Sequence, residues 1–244
     1  MHNIDLDRVK AELLSTGRLR ASINYGNPVL AQRGPNGEPQ GVSVALAREL
    51  AGRFGVELEI VPFEGGGEAV EAAAEGRWDI GFLAVDPMRT DRVSFTAPYV
   101  LIEGTYLVRK GGRYTEIGQL DAPGVRIAVG EGAAYYLVLS RILRHAQIVP
   151  SATSASAVDM FLKEGLDAAA GVRQPLEAVA REHAGVEVLP GRFTAIHQSM
   201  ATPAKNTAAL PFLEAYIREM KISGFVARAL RESGQGDATV APVE

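Results

Sequence analysis

Residues 75–99 read EGRWDIGFLAVDPMRTDRVSFTAPY. A glycine stop precedes an apolar run, IGFLAV (Ile80–Val85). Then come an Asp-Pro pair, two arginines and a segment of hydroxyl and aromatic residues. The apolar run is short and bounded by turn residues, which suits a buried strand. Asp86 and Pro87 form a helix N-cap with proline at the first helical position, so Arg89 falls in the first turn. A cation there is unfavourable with the helix dipole unless an anion binds nearby. Arginine offers a planar donor fork that matches a carboxylate in two parallel hydrogen bonds. Spacing alone equally allows a surface arginine paired with Asp86 or Asp91.

The same rhythm extends in both directions. Upstream, a short polar helix from about Leu6 to Ser15 precedes the alternating RLRASIN (18–24) and a loop dense in Gly, Pro and Asn. VSVALARELAGRFG (42–55) reads as an amphipathic helix stopped by Gly55, VELEIVPF (56–63) as a strand, and Gly65–Gly67 as a turn opening the next helix. Downstream, VRIAVG, AAYYLVLSRILRH, AQIVP, SASAVDMFLKEG, LDAAAG, PLEAVAREH and GVEVLP alternate strand and helix. Such alternation predicts an α/β fold with a mostly parallel sheet flanked by helices. Residues 69–81 (AVEAAAEGRWDIG) and 157–169 (AVDMFLKEGLDAA) share a helix, a Glu-Gly stop and a strand opened by Asp, which suggests two halves of similar build. The same unit also recurs in many unrelated α/β folds. Residues 209–234 read as an amphipathic helical region and 235–244 as a frayed tail.

Composition narrows the function classes. At 244 residues the chain has room for one large domain or two lobes. A net charge of −4, with no Lys/Arg block, argues against a nucleic-acid surface. Cysteine is absent and the four histidines lack metal-ligand spacing, so thiolate chemistry is excluded and neither a metal nor another cofactor is expected. No apolar run approaches the ~20 residues that span a bilayer. The N-terminal segment lacks a basic n-region followed by an apolar h-region, so it does not read as a signal peptide.

Ligands of open α/β sheets sit beyond the carboxyl ends of the strands. Besides the exit at Asp86, AVGEGAAYY (128–136) brings glycine backbone to the start of a helix, an anion-friendly place. It is neither GxGxxG nor a Walker loop. A third exit, DAAAGVRQPLEAV (167–179), directs Arg173 and Gln174 toward a ligand, or leaves Arg173 a solvated helix-start residue. No catalytic set emerges: His197 and Ser199 are near in sequence, but no G-x-S-x-G surrounds the serine.

Taken together, residues 41–63, 75–99 and 164–173 give the chain a resemblance to the family 3 solute-binding proteins, the amino-acid-binding class with the type II periplasmic binding fold. The resemblance implies two α/β lobes closing over a small polar solute. It places lobe 1 at 1–100 plus 198–244 and lobe 2 at 101–197, with strand crossovers near Val100–Thr105 and Ala195–Met200. Arg89 matches the family's carboxylate-binding arginine. Ala84 matches a position that is usually serine, leaving its backbone N–H. The implied ligand-binding set is Arg89, Ala84, Asn24, Asn27, Glu131, Gly132, Ala133 and Arg173.

The departures set the expected specificity. The acid that takes the ligand's α-ammonium falls on Val172, with Arg173 beside it. The hydroxyl-bearing loop becomes Gly132-Ala133-Ala134. The usual first-lobe acid is Asn24, and the aromatics that cover the ligand fall on Asn27 and Leu30. A buried ammonium without its partner acid costs several kcal/mol, unless Glu131 or Glu103 compensates. The expectation is a non-catalytic, monomeric binding protein that captures a small carboxylate-bearing solute, not a standard zwitterionic amino acid, in an inter-lobe cleft and serves an ABC importer. Two alternatives remain: an enzyme similar to cyclohexadienyl dehydratase, with Glu131 or Glu103 as general acid, and a cytoplasmic ligand sensor. The family implies a periplasmic location, whereas the sequence as it stands, without a signal peptide, implies a cytoplasmic one.

Overall fold

The computed structural model describes residues 4–243. In chain order the elements are α1 (Leu6–Leu13), β1 (Leu19–Asn24), β2 (Gln32–Arg33), β3 (Pro39–Gln40), α2 (Val42–Phe54), β4 (Leu58–Phe63), α3 (Gly66–Ala74), β5 (Ile80–Ala84) and β6 (Val93–Arg109). They continue as β7 (Arg126–Gly130), α4 (Ala134–Ile142), β8 (Gln147–Ser151), α5 (Ser154–Glu164), β9 (Ala168–Val172), α6 (Arg173–Glu182), β10 (Val186–Val188), β11 (Thr194–Pro203), α7 (Ala209–Ile222), α8 (Phe225–Glu232) and β12 (Thr239–Val240). The chain divides into two compact units, Met1–Leu101 with His197–Glu244, and Ile102–Ile196. β6 and β11 are the strands along which the chain passes from one unit to the other.

In the first unit β1 pairs in parallel with β4 and with β5, and β11 lies antiparallel to β5 with Gln198 opposite Ala84. β5 is buried along its whole length, as its unbroken apolar run demands. Helix α3 packs on this sheet through a cluster of Phe63, Ala69, Val70, Trp78, Leu83 and Val93. The Trp78 indole donates to the Ala69 carbonyl at 2.8 Å, so its one polar atom is satisfied inside the core.

In the second unit β7 pairs in parallel with β8 and β9, while β9 and β10 lie antiparallel to β6. Phe161 and Ala157 of α5, Leu176 of α6, and Leu107, Ala128 and Ala169 of the strands form its core. Gly130 ends β7 where α5 begins: a Cβ there would lie 2.8 Å from the Ser154 nitrogen, so only glycine permits this approach.

The internal echo of the sequence has a structural counterpart. In the first unit the Asp79 carboxylate accepts from the Arg20 N–H at 2.9 Å, and the Asp79 N–H donates to the Arg20 carbonyl at 2.9 Å. In the second, Asp167 and Arg126 exchange the same two bonds at 2.8 and 3.0 Å. In each unit a helix ends on glycine, and an aspartate then fixes the start of one strand against its neighbour.

The terminal helical region is two helices, broken at Gly224, whose φ of 73° suits glycine. One expectation is corrected. The tail is not frayed: β12 pairs antiparallel with β6, Val240 opposite Val100. The Lys221 ammonium donates to the carbonyls of Pro98 and Pro242 at 2.9 and 2.8 Å, tying the tail down.

Candidate functional site

In the first unit the site grows out of the end of β5. Asp86 adopts an extended conformation and its carboxylate accepts from the Met88 N–H at 2.9 Å. With Pro87 fixing the next φ, the chain makes one 3-10 turn, Pro87–Arg89, closed by the Arg89 N–H on the Asp86 carbonyl at 3.0 Å. The turn folds the Arg89 side chain back toward the strand it has just left, where Nη1 donates to the Ala84 carbonyl at 3.2 Å. Arg89 is 4% exposed, so the surface-arginine alternative is set aside; Asp91 instead faces Arg92 at 3.8 Å. Burial lowers the Arg89 pKa and the nearby Asp86 charge opposes that shift; a guanidinium starts so high that it stays protonated.

Gly66, the first residue of α3, lies beside this guanidinium. A Cβ built there would sit 3.4 Å from Nη2 and 3.6 Å from Nη1 of Arg89, and 3.7 Å from Nδ2 of Asn24. The Asn24 carbonyl oxygen accepts from the Gly26 N–H at 2.9 Å. At its N-terminus α3 has no side-chain cap, because its N-cap residue is Gly65. An uncapped N-terminus, an amide nitrogen and a buried guanidinium form a set of hydrogen-bond donors suited to an oxyanion.

The other first-unit candidates fall into different roles. Ala84, expected to act through its N–H, positions Arg89 through its carbonyl. Asn27 builds a turn: its side-chain oxygen accepts from the Val29 N–H at 3.3 Å and its carbonyl from the Leu30 N–H at 3.0 Å. Leu30 is 3% exposed and belongs to the core. Two residues escaped the sequence reading. Gly66 was read only as part of a glycine turn. Tyr25, which follows β1, lies under the Arg33 guanidinium at 3.9 Å, and Arg33 in turn pairs with Glu64 at 2.6 Å. The available signal for Tyr25 was an aromatic residue directly after a buried strand.

In the second unit, the loop after β7 is held by the Glu131 N–H on the Ser151 carbonyl at 2.8 Å and the Ala133 N–H on the Gly130 carbonyl at 3.3 Å. Gly132 has a φ of 70°, which favours glycine. Ala133 is the N-cap of α4 and offers no side-chain cap; Glu131 is exposed. Tyr135 is a core residue whose hydroxyl meets Ser154.

Arg173 opens α6, directly after Val172, which is 8% exposed at the end of β9. Its Nε donates to Glu103 at 2.7 Å, and its guanidinium also bonds the Gly191 carbonyl. Arg192 donates to the other Glu103 oxygen at 2.8 Å. Hydrogen bonding from Arg173 above all, partly opposed by burial and reinforced by Arg192, holds the Glu103 carboxyl below its ordinary value. Two cations thus already satisfy Glu103. Ser199 is fully buried with no hydrogen-bond partner for its hydroxyl, so it is no accessible nucleophile. Among the described residues no group of three His, Cys, Asp or Glu could hold a metal ion, and no helix is long and apolar enough to cross a membrane.

Comparison with known proteins agrees with this architecture. Solved structures of similar fold include a mutant of ArgBP from T. maritima, 22% identical over 93% of this chain and 99% of that one, with a TM-score of 0.80. The solute receptor for L-cysteine of Neisseria gonorrhoeae is 22% identical over 92% of each chain, TM-score 0.81. An ancestral amino acid-binding protein, a precursor of cyclohexadienyl dehydratase, is 24% identical over 91% of this chain and 97% of that one, TM-score 0.76. No match is found among curated proteins. The family model for bacterial extracellular solute-binding proteins, family 3, matches residues 19–233. The chain, with its mixed α/β fold of sheets flanked by helices, belongs to that family.

Proposed function

We propose that this protein captures a small carboxylate-bearing solute that lacks a free α-ammonium, binds it without converting it, and passes it to an ABC importer. The observation that carries this reading is the burial of Arg89, folded back onto the Ala84 carbonyl at 3.2 Å, its guanidinium lying beside Gly66 at the start of α3. Asp86 supplies one nearby negative charge, and the guanidinium fork is matched by a carboxylate. The similar structures named for amino acids or for L-cysteine have ligands that carry such a group.

The ammonium half of an amino acid finds less support. Val172 occupies the position of the family's ammonium-binding acid and is apolar. Glu103, one of the two acids that could have compensated, is committed to Arg173 and Arg192. The same pairing argues against Glu103 as the general acid of a dehydratase. A general acid must hold a proton near working pH, whereas Arg173 and Arg192 hold the Glu103 carboxyl below its ordinary value.

The test is a thermal-shift panel of amino acids, monocarboxylates, dicarboxylates and aromatic acids, with prephenate included. A ligand at 100 times its Kd stabilises by about 2.7 kcal/mol, which raises Tm by roughly 5–10 °C in a chain of this size. The expected result is such a rise with an acid lacking an ammonium, and unchanged prephenate on prolonged incubation. A rise confined to zwitterionic amino acids would overturn the reading.

A further inference from the structure

We propose that Asn24 reads the substituent next to the ligand's carboxylate, and that the solute is a 2-oxo or 2-hydroxy acid rather than a 2-amino acid. This rests on the reading of Arg89 as the carboxylate-binding residue.

The orientation of the Asn24 amide is set by its neighbour. The Gly26 backbone N–H can only donate, so the Asn24 atom 2.9 Å away is the carbonyl oxygen. Its amino group therefore faces the other way, toward Gly66. Among the described residues Nδ2 has no hydrogen-bond partner. The space left by the absent side chain of Gly66 is bordered by Nη2 and Nη1 of Arg89 and Nδ2 of Asn24, at 3.4, 3.6 and 3.7 Å from the Cβ position. All three nearest atoms are donors. A ligand entering there meets N–H groups and a positive charge, and the Asn24 side-chain oxygen is already used by the Gly26 N–H.

Such a set discriminates by chemistry. A carboxylate takes the Arg89 fork, and an oxo or hydroxyl oxygen on the adjacent carbon accepts from Nδ2. An ammonium at that carbon would bring N–H groups and a second positive charge against the same donors. Aspartate at this position would reverse the preference, keeping the bond to Gly26 while replacing the donor with an anionic acceptor. Asn24 is thus a specificity-determining residue, and Gly66 supplies the room.

Matched sets differing only at the α-carbon test this: pyruvate, lactate and alanine; 2-oxoglutarate, 2-hydroxyglutarate and glutamate; phenylpyruvate, phenyllactate and phenylalanine. Each is titrated calorimetrically into the wild-type chain and into Asn24→Asp, Gly66→Ala and Arg89→Ala. In at least one set the oxygen-bearing members should bind ~10-fold or more tightly than the amine, the scale of one lost hydrogen bond to a group left unpaired. Asn24→Asp should weaken those members by ~10-fold or more and narrow or invert the preference. Gly66→Ala should keep the unliganded Tm, since its Cβ meets Arg89 only at ordinary contact distance, yet abolish binding by filling the space. Tightest binding of the amine in every set, equal binding within every set, or binding by none overturns the proposal. So does an unchanged preference in Asn24→Asp; if Arg89→Ala still abolishes binding, the carboxylate reading survives that failure. Retained binding in Arg89→Ala defeats the carboxylate reading itself.

Discussion

At the scale of single residues, Arg89 combines two properties that pull in opposite directions. It is 4% exposed, and its burial disfavours the charged form that a guanidinium cannot give up. The nearby Asp86 charge opposes that effect. Arg89→Met, similar in length and apolar, leaves the buried Asp86 without this nearby cation and is expected to lower the unfolding free energy in urea denaturation by up to about 3–5 kcal/mol, while removing the carboxylate response. An unchanged or raised unfolding free energy would show that Asp86 does not depend on Arg89. The Asp-Pro start made Arg89 legible in the sequence, because capping chemistry acts over three or four residues. The partners of Arg173 were not legible. Glu103 lies 70 positions away, and only the fold reveals that this cation is already met by a carboxylate. Gly66 was hidden for another reason: a glycine run signals backbone freedom in sequence but not which side chains border the space it leaves.

Secondary-structure elements carry the internal echo, and its two halves differ in energy. Asp79 is 2% exposed and takes three charge-assisted bonds from Arg20, through the backbone N–H, Nε and Nη2, at 2.9, 3.0 and 2.6 Å. Asp167 holds the Arg126 N–H, the Tyr114 hydroxyl and the exposed Arg113, and its side chain is 20% exposed. Removing one partner of a buried ion pair costs about 3–5 kcal/mol, whereas a screened one costs about 1–2 kcal/mol. Asp79→Ala should accordingly lower the unfolding free energy clearly more than Asp167→Ala in the same denaturation series. Equal losses would show that the echo is one of sequence only. The repeated helix–glycine–strand unit was legible because each part is local. β12 was not, since two paired residues are too few to show alternation, and what secures them is a lysine some twenty positions upstream.

For the whole molecule, several carboxylates are held below their ordinary values. In Asp121 the cause is first the backbone N–H groups of His145 and Ala146; in Glu219 it is Arg53; in Glu103 it is Arg173. A carboxyl whose folded pKa is depressed contributes stability that is fully present above its unfolded value, near 4.3 for glutamate. That contribution is lost as pH falls through the folded value. Stability should therefore be level from pH 7 to about 5 and decline below about 4.5, and Asp121→Asn should flatten that decline. An Asp121→Asn profile that runs parallel to the wild type would remove Asp121 from the account. The same charge logic bears on binding: with a net charge of −4, the chain attracts an anion only through a local arrangement of donors, not through its overall field. Calorimetric titration of the strongest carboxylate from the thermal-shift panel into wild type and Arg89→Met tests the central claim most directly. The account predicts a fall in affinity of roughly 100-fold or more in the variant, as expected when a buried charge loses its partner; an unchanged Kd would contradict it.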